Sequence, residues 1–491
     1  MSNALSRRDF LTMAAASVAS PLAGRLPSPA RAAGPQKKRP NILFLFADDQ
    51  AFSTVGALNN ADIRTPTIDK LVRDGTAFTH AFIMGSMSGA VCFPSRAMLL
   101  SGRGLFRAPL RPGTSGGPAL WPETFRNAGY ATFGTGKWHN GPAAYARCFT
   151  HGGNIFFGGM SNHLKVPVHD FDPQGKYPRS GMHAGKGFSS NLFSDAAIGF
   201  LKRRQADKEL RTRPFFGYVS YTAPHDPRMA PKEYAAMYPP EKIPLPKNFM
   251  PEHPFDNGEM RIRDERLAPW PRTKPIVRQH IAAYYAMITH LDAQMGRVLQ
   301  ALQEAGEADN TLIIFSGDNG LAVGQHGLMG KQNLYEHSVR VPLIFCGPGI
   351  EKGKRIDALC YIHDLFPTTC ELAGLRIPTS VESLSLAPLL TGRKAKLRDS
   401  VYAAYRNVQR MVRTERWKLI RYPHARKTQL FDIQADPWEI SNLADDPKHA
   451  DRLKQLNAEL KKWQKEVGDT LDVDNPPARR PARGQRKRPA K

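Results

Sequence analysis

The chain has 491 residues, 41% of them hydrophobic and 23% charged, which is enough apolar material for one large domain plus a smaller one. Five cysteines are too few for a disulfide scaffold, no run beyond the N-terminal stretch approaches a membrane span, and nothing resembles a nucleic-acid-binding module. The formal net charge is +25; about ten of these charges sit at the two ends, and the basic body suits an acidic substrate or partner as well as it suits a solvated surface.

Ser6-Arg7-Arg8-Asp9-Phe10-Leu11 precedes an Ala-rich apolar stretch to Gly24 and then Ala30-Arg31-Ala32. That is the order of a charged region, an apolar region and an A-x-A cleavage site. The paired arginines predict a twin-arginine signal peptide over residues 1–32 and a periplasmic or secreted protein with no transmembrane segment.

The body alternates strand-like and helix-like runs, which predicts an α/β fold with a large, mostly parallel central sheet flanked by helices. Asn41–Phe46 is a continuous apolar run, the pattern of a buried central strand, and it ends in Ala47-Asp48-Asp49-Gln50. Thr65-Pro66 opens a helix through Ile68, Leu71 and Val72 to Gly75. Cys92-Phe93-Pro94-Ser95-Arg96 precedes an apolar turn ending at Gly102, as a loop feeding a short helix. The strand Tyr130–Phe133 leads to Gly134-Thr135-Gly136-Lys137-Trp138-His139, and Phe215–Tyr221 leads to Ala223-Pro224-His225.

Pro239–Pro275 is irregular and dense in proline and charge, and Val277–Ala305 is a long amphipathic helix. Arg261, Arg263, Arg266 and Arg272, with Trp270 and Phe255, make the irregular segment a candidate binding loop, or else a cover over the junction with the next subdomain. Leu312–Phe315 ends in Ser316-Gly317-Asp318-Asn319-Gly320, followed by Gly330-Lys331-Gln332 and a strand at Val341–Cys346. From residue 398 to 470, Arg410–Thr414, Trp417–Tyr422, Gln429–Ile433 and a helix Ala450–Val467 predict a smaller C-terminal subdomain of antiparallel sheet plus helix. Residues 471–491 form a basic tail expected to be disordered, which leaves 33–397 as the main domain.

Two buried strands that each end in acidic residues present Asp48, Asp49, Asp318 and the amide of Asn319 at the sheet edge where open α/β folds carry their sites. Hard oxygens without a zinc-type His or Cys pair predict Ca²⁺ or Mg²⁺. No additional His/Asp cluster for a second ion is evident. The cysteines at 92, 148, 346, 360 and 370 allow zero, one or two bridges once Cys92 is set aside.

From Pro40 to about Pro447 the chain resembles the formylglycine-dependent (type I) sulfatases of the alkaline phosphatase-like superfamily, through Cys92–Arg96, Gly136–His139, Lys331–Pro342 and Leu430–Leu443. Where the commoner family form has Gly-Gly after Tyr-Glu, this chain has His337-Ser338. The resemblance implies that a maturation enzyme converts Cys92 to formylglycine, whose hydrate is the nucleophile. It also implies one Ca²⁺ held by Asp48, Asp49, Asp318 and Asn319 and touching residue 92. Arg96 would steady the hydrate, Lys137 and Lys331 would bind sulfate oxygens, His139 would take the remaining hydroxyl proton, and His225 with Lys331 would protonate the leaving alcohol. The expected activity is sulfate-ester hydrolysis by an exported enzyme acting on a sulfated carbohydrate. The alternatives are a phosphomonoester or phosphonate hydrolase on the same fold and a noncatalytic binder of sulfated polymers.

Overall fold

The computed structural model describes residues 38–109 and 117–478. The leader expected over 1–32 and the part of the basic tail beyond residue 478 lie outside the described residues.

The strand Asn41–Ala47 is buried at every position because both faces of the sheet are covered. Ile42, Phe44 and Phe46 enter one apolar cluster, and Leu43, Leu45 and Ala47 enter the other. This double burial is why the strand is a continuous apolar run rather than an alternating one. It pairs in parallel with Phe215–Ser220 and with Thr311–Gly317. Phe215–Ser220 also pairs in parallel with Ala131–Lys137, which is parallel to His151–Phe156. Beyond Thr311–Gly317 the sheet changes direction: Arg340–Cys346 is antiparallel to it and to Thr76–Phe82. The result is an 11-stranded sheet with a parallel centre.

Register decides where the site lies. Phe46 is level with Ser220 and with Ser316, and Gly136 is level with Ser220. The four central strands therefore end at one level, and the residues following them converge. Asp48 N donates to Ala223 O at 3.0 Å and Asp318 N donates to Ala47 O at 3.1 Å, so each connection is tied to its neighbour. The helix Lys274–Glu304 packs Met287, Leu291, Met295, Val298 and Leu302 into one of the two clusters.

The C-terminal part is a 5-stranded sheet. Its antiparallel strands are Ser400–Tyr405, Gln409–Thr414, Trp417–Tyr422 and Lys427–Asp432, followed by the helix Ala450–Val467. The first of these was not anticipated from the sequence. The fifth strand, Gly85–Ser86, comes from just before Cys92 and pairs in parallel with Ser400–Tyr405. All five cysteines are free, so no bridge forms. Among the described residues, no helix is long and apolar enough to cross a membrane.

At the opposite end of the central strands, Asn41 acts as a pin. Its Nδ2 donates to Glu307 Oε2 at 2.9 Å and Thr311 Oγ1 at 3.2 Å, and its Oδ1 accepts from Phe215 N at 3.0 Å. Asn41→Leu strands buried polar partners on two neighbouring elements. It is expected to cost about 1–3 kcal/mol, read as a lower urea midpoint at unchanged m-value; an unchanged midpoint would contradict this role.

Candidate active site

Cys92 is the first residue of the helix Cys92–Ser101, not part of a loop before it. Pro94 fits the first turn, where its missing N–H costs nothing, and Gly102 closes the helix in the left-handed region at φ 63°. Ser95 Oγ donates to Asp318 O at 2.6 Å, which seats the helix on the end of the strand Thr311–Gly317. The Cys92 thiol is buried, with Lys137 Nζ at 3.5 Å and His139 Nδ1 at 3.6 Å.

Three carboxylates and three cations interlock around it. Lys137 Nζ donates to Asp48 Oδ2 at 2.6 Å. Lys331 Nζ donates to Asp49 Oδ1 at 2.6 Å and Oδ2 at 2.8 Å. Arg96 Nε donates to Asp318 Oδ2 at 2.8 Å, and its Nη1 donates to Ser220 Oγ at 2.6 Å and Lys137 O at 2.8 Å. Asp318 Oδ1 accepts Asp49 N at 3.0 Å, and Asn319 Nδ2 donates to Asp49 Oδ1 at 2.7 Å. Gly136 is where Ala131–Lys137 passes the strand end: at φ 82°, a Cβ there would lie 1.8 Å from Ser220 O.

Ionisation in the cluster is uneven. Burial pushes the Asp48 carboxyl well up, with Asp318 and Asp49 adding to the rise against Lys137. Burial opposes ionisation of Asp318 too, yet Arg96, Lys137 and Lys331 together hold it below the usual carboxylate range. Burial, then Lys137 and Arg96, push His139 down to about 2, so its ring is neutral. His225 is likewise held well down by burial, Lys331 and Lys137, whereas the Asp49 carboxylate beside Lys331 overcomes burial and keeps that ammonium charged.

The cluster suits a hard cation. Asp48 Oδ1 and Asn319 Oδ1 are buried without a hydrogen-bond partner. Ligand atoms of Asp48, Cys92 and Asp318 lie within 4.8 Å of one another. A divalent ion would meet oxygen donors from two strand ends and offset the burial and the like-charge repulsion that raise Asp48. A second group, Asp49, His225 and Asp226, meets the same distance condition, which corrects the expectation that no additional His/Asp cluster exists.

Asp226 has no signal in the sequence, although the excursion that holds it through Arg263 does. His225 Nδ1 lies 2.8 Å from Asp226 O and 3.4 Å from Asp226 Oδ1, and His225 Nε2 lies 3.6 Å from Asp49 Oδ2. Arg263 grips both Asp226 oxygens and also pairs with Asp264 at 2.6 Å. Asp264 accepts Gln332 Nε2 at 2.7 Å, beside Lys331. The proline-rich excursion thus links the His225 corner to the Lys331 corner. Of the two readings of this segment, its other members fit the cover over the junction: Arg272 is buried, donates to Glu265 Oε2 at 2.8 Å and stacks 3.9 Å over Trp270, while Phe255 packs on Tyr422 of the C-terminal sheet. Only Arg261 and Arg266 of the four arginines are exposed.

The profile of the family described as Sulfatase matches residues 40–375, and that of N-sulphoglucosamine sulphohydrolase, C-terminal, matches residues 324–466. An arylsulfatase of Clostridium perfringens is 29% identical over 457 residues, covering 85% of this chain and 93% of that protein. An N-acetylglucosamine-6-O-sulfatase of Bacteroides thetaiotaomicron is 26% identical, covering 90% and 89%. A protein solved in complex with its substrate D-glucosamine-2-N,6-O-disulfate superposes with a TM-score of 0.73 at 25% identity, covering 89% of this chain and 99% of that one.

Glu265 braces the segment before Lys331: its Oε2 accepts Met329 N and its Oε1 accepts Gly330 N, both at 3.0 Å. Glu265→Ala leaves Arg272 buried without its carboxylate. It is expected to cost about 3 kcal/mol and to speed amide exchange at Met329 and Gly330; native exchange rates at those two amides would rule the brace out.

Proposed function

The chain belongs to the sulfatase family and is a sulfuric ester hydrolase, and from that premise we propose that it removes sulfate from a sulfated carbohydrate after conversion of Cys92 to formylglycine by a maturation enzyme. The observation that carries this reading is the convergence on Cys92: one ammonium, one neutral imidazole and a carboxylate cage lie around a buried thiol at the ends of four strands. Oxidation of Cys92 supplies an aldehyde hydrate with two hydroxyls, one to attack sulfur and one to expel sulfate afterwards.

Asp48, Asp49, Asp318 and Asn319, together with residue 92, are the groups that would hold Ca²⁺. When bound, the ion supplies positive charge that favours ionisation of a neighbouring hydroxyl and offsets charge on sulfate oxygens. The chain's own residues do the rest. Lys137 and Lys331 bind the sulfate oxygens, and Arg96, locked between Asp318, Ser220 and Lys137 O, steadies charge at residue 92. His139 accepts the proton of the remaining hydroxyl, in keeping with its neutral ring. Protonation of the leaving alcohol falls to His225 together with Lys331, the member of that pair that stays charged.

The same reading extends to the chain's organisation: a twin-arginine signal peptide over 1–32 taken by the twin-arginine export machinery, a catalytic domain over 33–397, a C-terminal subdomain over 398–470 and a basic tail over 471–491. An exported enzyme with a basic body meets extracellular polyanions and draws them in by long-range attraction. Relatives named for a sugar sulfate and solved with one support a carbohydrate as the alcohol.

Mass spectrometry of the peptide spanning Cys92 in active enzyme should show the thiol replaced by an aldehyde; full activity with an unmodified cysteine would end the mechanism. Specificity constants should favour sulfated mono- or oligosaccharides over an aryl sulfate. A preference for the aryl ester by orders of magnitude over every sugar would overturn the carbohydrate assignment while leaving the sulfatase chemistry intact.

A further inference from the structure

His326, His337 and Glu439 come from three separate segments, yet each offers a ligand atom, and these atoms lie within 4.8 Å of one another. His326 belongs to the loop between Asn319 and Lys331, His337 to the short helix Glu336–Val339, and Glu439 to the segment after Lys427–Asp432. The group borders a cavity of about 510 Å³ lined in part by Phe52, Tyr285 and Trp438. None of the three has a part in the chemistry derived above.

Several observations set this group apart from ordinary buried polarity. His337 Nε2 is buried with no hydrogen-bond partner, and so is Oδ1 of Asn248, whose Nδ2 lies 3.1 Å from His326 Nε2. Buried polar atoms without protein partners, clustered in one place, call for an ion or water to satisfy them. His326 and Glu439 have left-handed backbones, at φ 50° and 57°, a conformation that non-glycine residues hold only where the surroundings impose it. Tyr335 stacks on His326 at 4.0 Å and on His337 at 5.6 Å, fixing both rings. Glu336 N donates to Glu439 Oε2 at 2.7 Å, and Lys418 Nζ lies 2.8 Å from Glu439 Oε1. Such outer partners orient a ligating carboxylate. Burial keeps both imidazoles neutral, and an ion on His326 Nε2 would replace its contact with Asn248 Nδ2.

We propose that His326, His337 and Glu439 form a second metal site, for Zn²⁺ or a similar late first-row divalent ion. Two imidazoles and one carboxylate are a borderline-soft donor set, unlike the all-oxygen cage near Cys92. Ligand atoms of a tetrahedral zinc site stand about 3.3–3.5 Å apart, inside the 4.8 Å within which these three lie of one another. Three protein ligands leave a fourth position for water from the cavity. The ion ties the loop leading to Lys331 to the C-terminal subdomain.

The test uses the full-length protein, freed of metal by chelation, reloaded with excess Ca²⁺ and titrated calorimetrically with Zn²⁺. Wild type should take up one equivalent, and a Cys92→Ser variant should do the same, because the site does not involve residue 92. His337→Gln and Glu439→Gln should bind at least 100-fold more weakly, with His337→Gly as a second variant should the glutamine fail to fold. Co²⁺ in place of Zn²⁺ should give the visible absorption of a tetrahedral site in wild type and lose it in the His337 variants. The proposal is overturned if wild type binds no Zn²⁺ beside Ca²⁺, or if uptake disappears with Cys92→Ser and survives the His337 substitutions.

Discussion

Three carboxylates, Asp48, Asp49 and Asp318, are buried together at the end of a parallel sheet, and much of the surrounding structure serves to make that tolerable. Each has its own cation, Lys137, Lys331 and Arg96 respectively. Burial of an unpaired charge would exceed anything the local packing returns, so these pairs stand or fall as a set. With all three carboxylates ionised the charges of the set cancel, and a divalent ion bound among them would leave it positive. The same groups that make the protein foldable with its acids buried are those to which the proposed mechanism gives the sulfate oxygens.

The cage depends on parts of the chain far away in sequence. The central strands end level because their register is fixed at the other end, where Asn41 ties three elements together. The excursion between residues 239 and 275 reaches back over the site through Arg263, Asp264 and Glu265 and fixes both the His225 and Lys331 corners. Asp49 and His139, both non-glycine, are among the residues with left-handed backbones, at φ 65° and 66°. Gly159 makes room for the His139 ring, since a Cβ there would come within 2.8 Å of it.

What could be seen in the sequence was local. Asp48-Asp49 and Asp318-Asn319 stood out because each follows a run of apolar residues that only a doubly covered strand needs. The strand before His139 was foreseen to end at Phe133 but continues to Lys137, since Gly134 and Gly136 carry no apolar signal. Arg340–Cys346 was recognisable as a strand, but apolar content does not encode direction, and it runs antiparallel. Asp226 and Glu265, and the role of Arg263 as a partner of Asp226, have no signal in the sequence, because contacts between segments 37 or more residues apart leave no periodicity. For Arg272 and Trp270 the sequence leaves a binding loop and a junction cover open, since an arginine and an aromatic ring in a polar loop suit either; here they are packed against each other and a glutamate.

The two-residue strand Gly85–Ser86 joins the C-terminal sheet although it lies only a short way upstream of Cys92. Gly85 approaches Ala404 so closely that a Cβ there would sit 2.1 Å from Ala404 O, so the pairing leaves no slack. The C-terminal subdomain is therefore not a detachable module. A chain cut near residue 398 would lose the edge on which the approach to Cys92 is laid, and recombination between relatives at that boundary has to keep both sides of the pairing from one parent.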